Sequence, residues 1–216
     1  MPHLLIWGAG GHAAVVADVA RLSGWTVAAF VDDTPGGRAG GEWDGAAVVG
    51  AIEAEALARG GVRHAAVAVG HPTVRLAKAG ILDGWGCELP PLVHPRAVVA
   101  GSARLGPGVV VCAGAVVQVL AAVGRLAVVN TLASADHDCD LGEAVHLCPG
   151  ARLAGSVRVG AGGWVGVGAS VRDRVRLGEW CYVGAGAAVV ADLPPGCLAV
   201  GVPARVRGAS PYRPLT

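Results

Sequence analysis

The chain has 216 residues, of which 53% are hydrophobic, only 4% are aromatic and 35 are glycine. With one Phe and one Met, the core has to be filled by smaller aliphatic side chains, which excludes an aromatic-rich sandwich or a Leu/Met helix bundle. At 15% charged residues and a formal net charge of +1, the chain is neither disordered nor basic enough for a nucleic-acid-binding protein. Composition therefore favours a narrow interior with many tight backbone corners, and the length allows one or two domains.

The first part of the chain has the pattern of a small parallel α/β domain. Short apolar runs alternate with helical stretches, and this order predicts a Rossmann-like parallel sheet over residues 1–91. Strands are predicted over residues 3–7, 25–31 and 62–69, helices over 13–22 and from 72 to about 82, and a loop over 34–43.

The turn after the first strand indicates phosphate binding. Gly8, Gly10 and Ala13 fit the dinucleotide pattern G-x-G-x-x-A, with an acid about 20 residues further on. Such a turn brings backbone N–H groups and a helix N-terminus close to a phosphate. Because the domain is too short for two nucleotide-binding halves, we expect it to bind a nucleotide sugar through Gly10, Gly11 and His12. The alternative is a plain glycine turn that joins a strand to a helix.

The second part of the chain repeats in hexads. From Val93 to Val189, every sixth residue is aliphatic without insertion or deletion, and the residue four positions after each is neither charged nor large. Three hexads form one coil of three short parallel strands, so residues 92–208 are predicted to form a hexapeptide-repeat parallel β-helix, followed by a C-terminal tail over 209–216. One corner is marked by glycines that recur at every third hexad: Gly106, Gly124, Gly142, Gly160 and Gly178.

One uncharged stretch is long enough to span a bilayer. It runs from Leu105 to Gly124, which is the length of a transmembrane helix. It contains Pro107 and keeps the hexad period, so it is predicted to be a β-helix coil with apolar outward positions. Outward residues such as Val110, Val116 and Leu120 then need a cover, which self-association would provide.

The cysteine pattern and the N-terminus favour a cytoplasmic protein. None of the six cysteines forms a C-x-x-C pair, so we expect reduced thiols that pack as small hydrophobes. The first residues carry no basic segment of the kind that begins a secretory signal. The chain is therefore expected to have neither a membrane nor a nucleic acid as partner.

Several motifs together resemble one family. The run Gly8–Ala13 is followed by Val15-Val16-x-Asp18, by Phe30-Val31-Asp32-Asp33 and then by the hexads. This arrangement is similar to the sugar acetyltransferases that include the PglD- and PerB-type nucleotide-sugar N-acetyltransferases and the sialic acid O-acetyltransferase NeuD. The similarity runs from His3 to Arg207. It implies a homotrimer with a left-handed β-helix that binds acetyl-CoA, and a first domain that binds a UDP- or GDP-sugar, with Asp32 and Asp33 at its base or ribose.

The segment Ala135–Cys139 is the candidate catalytic motif. Acetyl transfer to an amine needs a base with a pKa near neutrality and donors for the developing oxyanion. The resemblance implies that His137 is the base, that Asp138 orients or polarises it, and that His146 lies near the thioester carbonyl. It also makes the backbone N–H of Gly155 the oxyanion donor. Because Gly155 follows His137 by three full hexads, the repeat predicts that the two stack on each other.

We therefore expect an enzyme that moves the acetyl group of acetyl-CoA to the amino group of a nucleotide-linked aminosugar, by direct attack, in bacterial surface glycan synthesis. O-acetylation of a sialic acid or a related sugar hydroxyl stays open, because the same base serves both. A metalloenzyme that resembles the γ-class carbonic anhydrases would hold Zn²⁺ between subunits, and His137, His146, Cys139 and Cys148 make it an alternative. The third His and the H-x4-H spacing of those enzymes are absent, so no metal is expected. A non-catalytic scaffold or nucleotide-sugar sensor is the third alternative.

Overall fold

The computed structural model describes residues 1–212, and its first part is an α/β domain. Its elements are β1 (His3–Trp7), α1 (Gly11–Leu22), β2 (Thr26–Val31), β3 (Glu42–Trp43), β4 (Ala46–Val49), α2 (Ala51–Arg59), β5 (His64–Val67) and α3 (Pro72–Gly84). The strands form one sheet in the order β3-β4-β2-β1-β5. Every neighbouring pair is parallel except β3 with β4, which confirms the predicted parallel sheet.

Three elements of this domain are missing from the sequence-based prediction. Strands β3 and β4 and helix α2 lie between the second and third predicted strands, and β3 occupies the end of the predicted loop. Strand β4 is short and buries one side chain, Val48, so it shows no clear alternation. It forms because β2 offers it a free edge, on which Phe30 pairs with Val48 and Val31 with Val49.

The second part of the chain is a triangular parallel β-helix. Its strands are β6 (Leu92–Val93), β7 (Val98–Val99), β8 (Arg104–Leu105), β9 (Val110–Val111), β10 (Val116–Val117), β11 (Ala122–Val123), β12 (Val128–Val129), β13 (Ser134–Ala135), β14 (Asp140–Leu141), β15 (His146–Leu147), β16 (Arg152–Leu153), β17 (Arg158–Val159), β18 (Trp164–Val165), β19 (Ser170–Val171), β20 (Arg176–Leu177), β21 (Tyr182–Val183), β22 (Ala188–Val189), β23 (Cys197–Val200) and β24 (Arg205–Ala209). Strand β24 ends inside the predicted tail, of which residues 213–216 lie outside the described residues.

These strands stack into three sheets, which we number in the order in which the chain meets them. The first sheet contains β6, β9, β12, β15, β18, β21, β23 and β24, the second β7, β10, β13, β16, β19 and β22, and the third β8, β11, β14, β17 and β20. Residues one coil apart pair in parallel, as Val128 does with His146 and His146 with Trp164. The uncharged residues 105–124 are part of these coils, and none of the helices within residues 1–212 is long and apolar enough to cross a membrane.

The core of the prism is filled as the hexad period predicts. From Val111 to Val189, every aliphatic position of the period is buried, and the small positions between them pack against it. Only Val93, Val99 and Leu105, in the first coil, are partly exposed. The described residues of this core include no side chain larger than Leu.

The glycines that recur once per coil allow successive coils to approach closely, whereas composition suggested that they form tight corners with a positive φ. A Cβ on Gly124 would lie 2.7 Å from the carbonyl carbon of Gly142, and one on Gly142 would lie 2.6 Å from Ala161 N. Their role is therefore close approach of the next coil, not a positive φ. Positive φ occurs two positions later, at Gly108, Leu126, Ala144, Gly162 and Trp180.

The α/β domain covers the first sheet of the β-helix. One cluster joins the buried face of α1 and the sheet to Leu92, Val110 and Cys112, and a second joins β1, β2, β5 and α3 to Leu126 and Ala144. The expectation that self-association covers Val110 is wrong, because the chain's own N-terminal domain covers it. We call this interdomain contact the seam.

Replacing Gly142 with Ala is expected to lower the free energy of unfolding by about 1–3 kcal/mol, as overpacking of a tight contact does. The change would force two coils apart, and urea or thermal unfolding would measure it. The control is Gly101→Ala, since a Cβ on Gly101 meets nothing within 4 Å, and it should stay within about 0.5 kcal/mol of the parent. Equal stability of the two variants would contradict the close-approach role of Gly142.

Candidate active site

An open cavity of about 780 Å³ lies at the C-terminal ends of β1 and β2. Its wall consists of the turn Gly8–Gly10, the loop 31–38, and Val74 and Lys78 of α3. This edge of an open parallel sheet is where ligands commonly bind. Of the predicted binding residues, Gly10, Asp32 and Asp33 line this cavity, whereas Gly11 and His12 do not.

The glycine turn is shaped by its neighbours. Gly8 has a φ of +120°, and a Cβ there would lie 2.7 Å from Ala68 O, so no other residue fits. Gly10 has an ordinary extended conformation with a φ of −108°, and a Cβ on it would meet nothing within 4 Å. Gly10 therefore leaves space on the cavity side for an approaching ligand, while Gly11 begins α1 and contributes a free first-turn N–H.

Both acidic residues of the cavity are engaged with the protein itself. Asp32 accepts hydrogen bonds from Arg38 N at 2.8 Å and Thr34 N at 3.0 Å, and these bonds lower the pKa of Asp32. Partial burial acts to raise the pKa of Asp33, but hydrogen bonds from Lys78 and Trp7 outweigh it and lower that pKa. Asp32 thus folds the loop that forms one wall of the cavity.

His137 lies at the prism edge between the second and third sheets. Its Nδ1 is 2.8 Å from Asp138 Oδ2, and both side chains are about half exposed. This hydrogen bond raises the pKa of His137. Because Nδ1–H donates to the carboxylate, the lone pair of the neutral ring is on Nε2, which is the tautomer that a general base needs.

Gly155 lies directly under this imidazole, as its position one coil later predicts. Ser156 N donates to His137 O at 2.8 Å, which fixes one coil on the next. A Cβ on Gly155 would lie 2.5 Å from both Nε2 and Cε1 of His137, so any other residue would push the ring out of this position. An open depression of about 330 Å³ that Asp138, Arg104 and Arg158 help to line adjoins this edge.

His146 lies elsewhere, in the seam. It is 4% exposed, and its Nε2 is 3.2 Å from Asn130 Nδ2. Because Asn130 Oδ1 accepts from Thr131 N at 2.8 Å, Nδ2 is the donor and Nε2 of His146 the acceptor. Burial, the charge of Arg75 and the neighbouring His12 hold the pKa of His146 well below its usual value, and the nearby Gly70 backbone has a smaller, opposite effect.

His12 faces His146 across the seam, with ring centroids 5.8 Å apart. Burial and the charge of Arg75 lower the pKa of His12 to about 4, so both rings are neutral near pH 7. Three buried imidazole nitrogens have no hydrogen-bond partner among residues 1–212: His12 Nε2, His71 Nδ1 and His146 Nδ1. Unsatisfied buried nitrogens of this kind mark a place where a ligand or water fits.

Sequence reasoning missed Asn130 and the aromatic column beside His146. Trp164 is 4.4 Å from His146 between ring centroids, Tyr182 stacks on Trp164, and Tyr212 packs edge-on against it. The one-coil spacing from His146 to Trp164 and from Trp164 to Tyr182 was the available signal for the column. The contact of Asn130 runs diagonally between coils, so no simple period reveals it.

The structure does not bring His137 and His146 together. The edge that holds His137 is opposite the first sheet of the prism, and the first sheet carries His146. Cys139 points inward and donates to Ala154 O at 3.2 Å. Within residues 1–212 of a single chain, no three or more His, Cys, Asp or Glu side chains are placed to share a metal ion.

Comparison with known proteins gives consistent matches along the chain. Residues 3–80 match the family model of the PglD N-terminal domain. A GDP-perosamine N-acetyltransferase of Escherichia coli O157:H7 is 26% identical over 106 residues, 49% of this chain, and the match spans 48% of that relative, about half its length.

Two solved structures match almost the whole chain. The perosamine N-acetyltransferase of Caulobacter crescentus, solved as a histidine-to-asparagine variant in complex with CoA and GDP-perosamine, is 42% identical, with a TM-score of 0.91 over 96% of this chain and 98% of that one. The acetyltransferase domain of PglB from Neisseria gonorrhoeae FA1090 is 37% identical, with a TM-score of 0.87 over 96% of this chain and 100% of that one. The chain therefore belongs to the PglD- and PerB-like family of sugar acetyltransferases.

Proposed function

We propose that the protein is an acetyl-CoA-dependent N-acetyltransferase whose acceptor is the amino group of a nucleotide-linked aminosugar, with GDP-perosamine as the first substrate to test. The observation that carries this proposal is the His137–Asp138 pair seated on Gly155. Membership of the family supports it, because the Caulobacter relative was solved with CoA and GDP-perosamine. The cavity beside Gly10 supplies a place for the nucleotide.

In this mechanism, Nε2 of His137 takes a proton from the sugar amine while the amine nitrogen attacks the thioester carbonyl. The C–N bond forms to give a tetrahedral intermediate, and the C–S bond then breaks as the His137 imidazolium returns the proton to the departing sulfur, which releases CoA as the free thiol. Asp138 holds the ring in the required tautomer and stabilises the imidazolium. The backbone N–H of Gly155 makes no hydrogen bond within the described part of the chain and is our candidate donor to the oxyanion.

We also propose that the protein works as a homotrimer. One chain holds His137 on one edge of the prism and His146, His12 and the nucleotide cavity on the side of the first sheet, so a neighbouring copy has to complete the site. Large apolar side chains on the prism are exposed in the single chain, including Val98, Leu120, Leu132 and Val167. Packing of three prisms would bury such residues.

His137→Asn is expected to lower kcat by a factor of about 10²–10⁴, the usual contribution of a general base. Binding of CoA, measured by calorimetry, should remain, because the change keeps the size of the side chain. Acetyl transfer would be followed by release of free CoA with GDP-perosamine as acceptor.

Subunit mixing distinguishes a shared site from a site within one chain. His137→Asn and His146→Ala subunits, each inactive alone, should recover part of the activity after joint unfolding and refolding. A mixed trimer contains one interface that combines both intact histidines. If the mixture stays inactive although mixed trimers form, the proposed subunit-spanning site is wrong.

The pH dependence should follow the His137–Asp138 pair. The base works as the neutral ring, and the hydrogen bond with Asp138 raises the pKa of His137, so kcat/KM should rise with pH through a midpoint above the ordinary histidine value of about 6.5. Asp138→Asn should move this rising limb to lower pH, because the imidazolium loses its carboxylate. The exposed Asp18→Asn is the control, and an unmoved midpoint in Asp138→Asn would refute the role of this pair.

Gly10→Val should weaken GDP binding by about tenfold or more, the loss expected when charge-assisted hydrogen bonds to a phosphate are displaced. A Cβ at this position meets no protein atom within 4 Å, so thermal stability should be largely kept. Gly80→Val, at an exposed position of α3, provides the matched control. Unchanged GDP affinity in Gly10→Val would place the nucleotide outside this cavity.

A further inference from the structure

One buried charge in the seam plays no part in the mechanism above. Arg75, on α3, is only 1% exposed, and no carboxylate forms an ion pair with it within residues 1–212. Buried arginines are rare without such a pair, because removing a charge from water is costly. A residue retained at this cost calls for a specific explanation.

The guanidinium is held by backbone carbonyls of both domains. Nε donates to Leu126 O at 2.9 Å and Nη2 to Ala144 O at 2.7 Å, while Nη1 donates to Val69 O at 2.8 Å and Gly70 O at 2.7 Å. Leu126 and Ala144 occupy the same corner of successive coils, and both have a positive φ. One side chain thus links two coils of the β-helix to the loop after β5.

The carbonyl groups that Arg75 binds lie close in sequence to two histidines of the seam. Ala144 precedes His146 by two positions, and Gly70 immediately precedes His71. The apolar contacts of Leu126 and Ala144 with α3 and the sheet hold the domains together, but apolar packing has little directionality. The planar guanidinium fork, with hydrogen bonds in several fixed directions, defines the position of one domain on the other.

We propose that Arg75 is a positioning residue for acetyl transfer, which sets the nucleotide-binding domain on the β-helix so that His12 faces His146 and the bound sugar meets the acetyl group. This inference rests on the proposed function. Each substrate would still find its own site without Arg75, but the two would no longer be presented in the reactive geometry. Displacement by about 1 Å is enough to cost about 100-fold in rate.

The charge of Arg75 has a second, measurable effect on its surroundings. The titratable groups that face it are His12, His71, His146 and Tyr212, and its charge lowers the pKa of each of the three histidines. Burial lowers the pKa of Arg75 itself to about 10, and Tyr212 acts in the opposite direction. Removing the charge should therefore raise the pKa values of His12 and His146, although burial still holds them low.

The test compares Arg75→Met with two controls. Arg75→Met keeps an unbranched stem of similar reach but removes the charge and all four hydrogen bonds. Leu126→Ala trims the apolar side of the seam and keeps the carbonyl that Arg75 uses. Arg59→Met removes an exposed arginine that pairs with Glu55.

In Arg75→Met, we expect kcat with acetyl-CoA and GDP-perosamine to fall by about 100-fold. The Kd values for CoA and GDP, measured by calorimetry, should stay within about twofold of the parent values. NMR titration should show raised pKa values for His12 and His146. Arg59→Met should match the parent in every measurement. Leu126→Ala should lose stability but leave the histidine titrations unchanged.

Two results would overturn the inference: a kcat for Arg75→Met within about twofold of the parent, or a loss of kcat that Leu126→Ala reproduces in full.

If Arg75→Met fails to fold, Arg75→Lys replaces it. Lysine keeps the charge but cannot reach all four carbonyls, so kcat should fall while the histidine titrations stay unchanged, and an unaltered kcat would refute positioning. A parent protein that binds CoA and GDP but transfers no acetyl group would instead refute the proposed function.

Discussion

Each coil of the β-helix has to close within three hexads around a core that accepts one aliphatic and one small side chain per strand. This steric constraint determines where every outward residue stands, because a single inserted residue would turn the inward positions outward for all later strands. It places Gly155 under His137 and aligns His146, Trp164 and Tyr182 in one column. The chemistry on the surface of the prism is therefore organised by the packing inside it.

The seam is governed by a second requirement, the satisfaction of polar groups at a buried interface. Backbone corners of the β-helix leave carbonyl groups that a covering domain has to meet, and Arg75 meets those of Leu126 and Ala144. Burial lowers the pKa of the neighbouring histidines, and the charge of Arg75 adds to this effect. One side chain thus contributes both to the docking of the α/β domain and to the low pKa values of the rings beneath it.

Much of the fold was predictable from local pattern. The hexad period identified the β-helix, and the glycine turn with its flanking strands identified the α/β domain. Strand β4 and helix α2 escaped because their signals are short and alanine-rich: β4 forms on the free edge of β2, and α2 packs Ala54 and Ala58 against the buried cluster of the sheet. The glycines that recur at every third hexad were recognised, but their reason was not, since contact between successive coils is invisible in a single hexad.

By itself, the sequence determined the coil register, the stacking of Gly155 with His137, and the glycine turn after β1, because these relations are local or follow from an uninterrupted repeat. Tertiary structure alone decided that His137 and His146 lie on different sides of the prism, that Asn130 donates to His146, and that Arg75 joins the two domains. Such contacts link residues through the docking of separate surfaces, and docking depends on shape and hydrogen-bond geometry that no sequence period encodes.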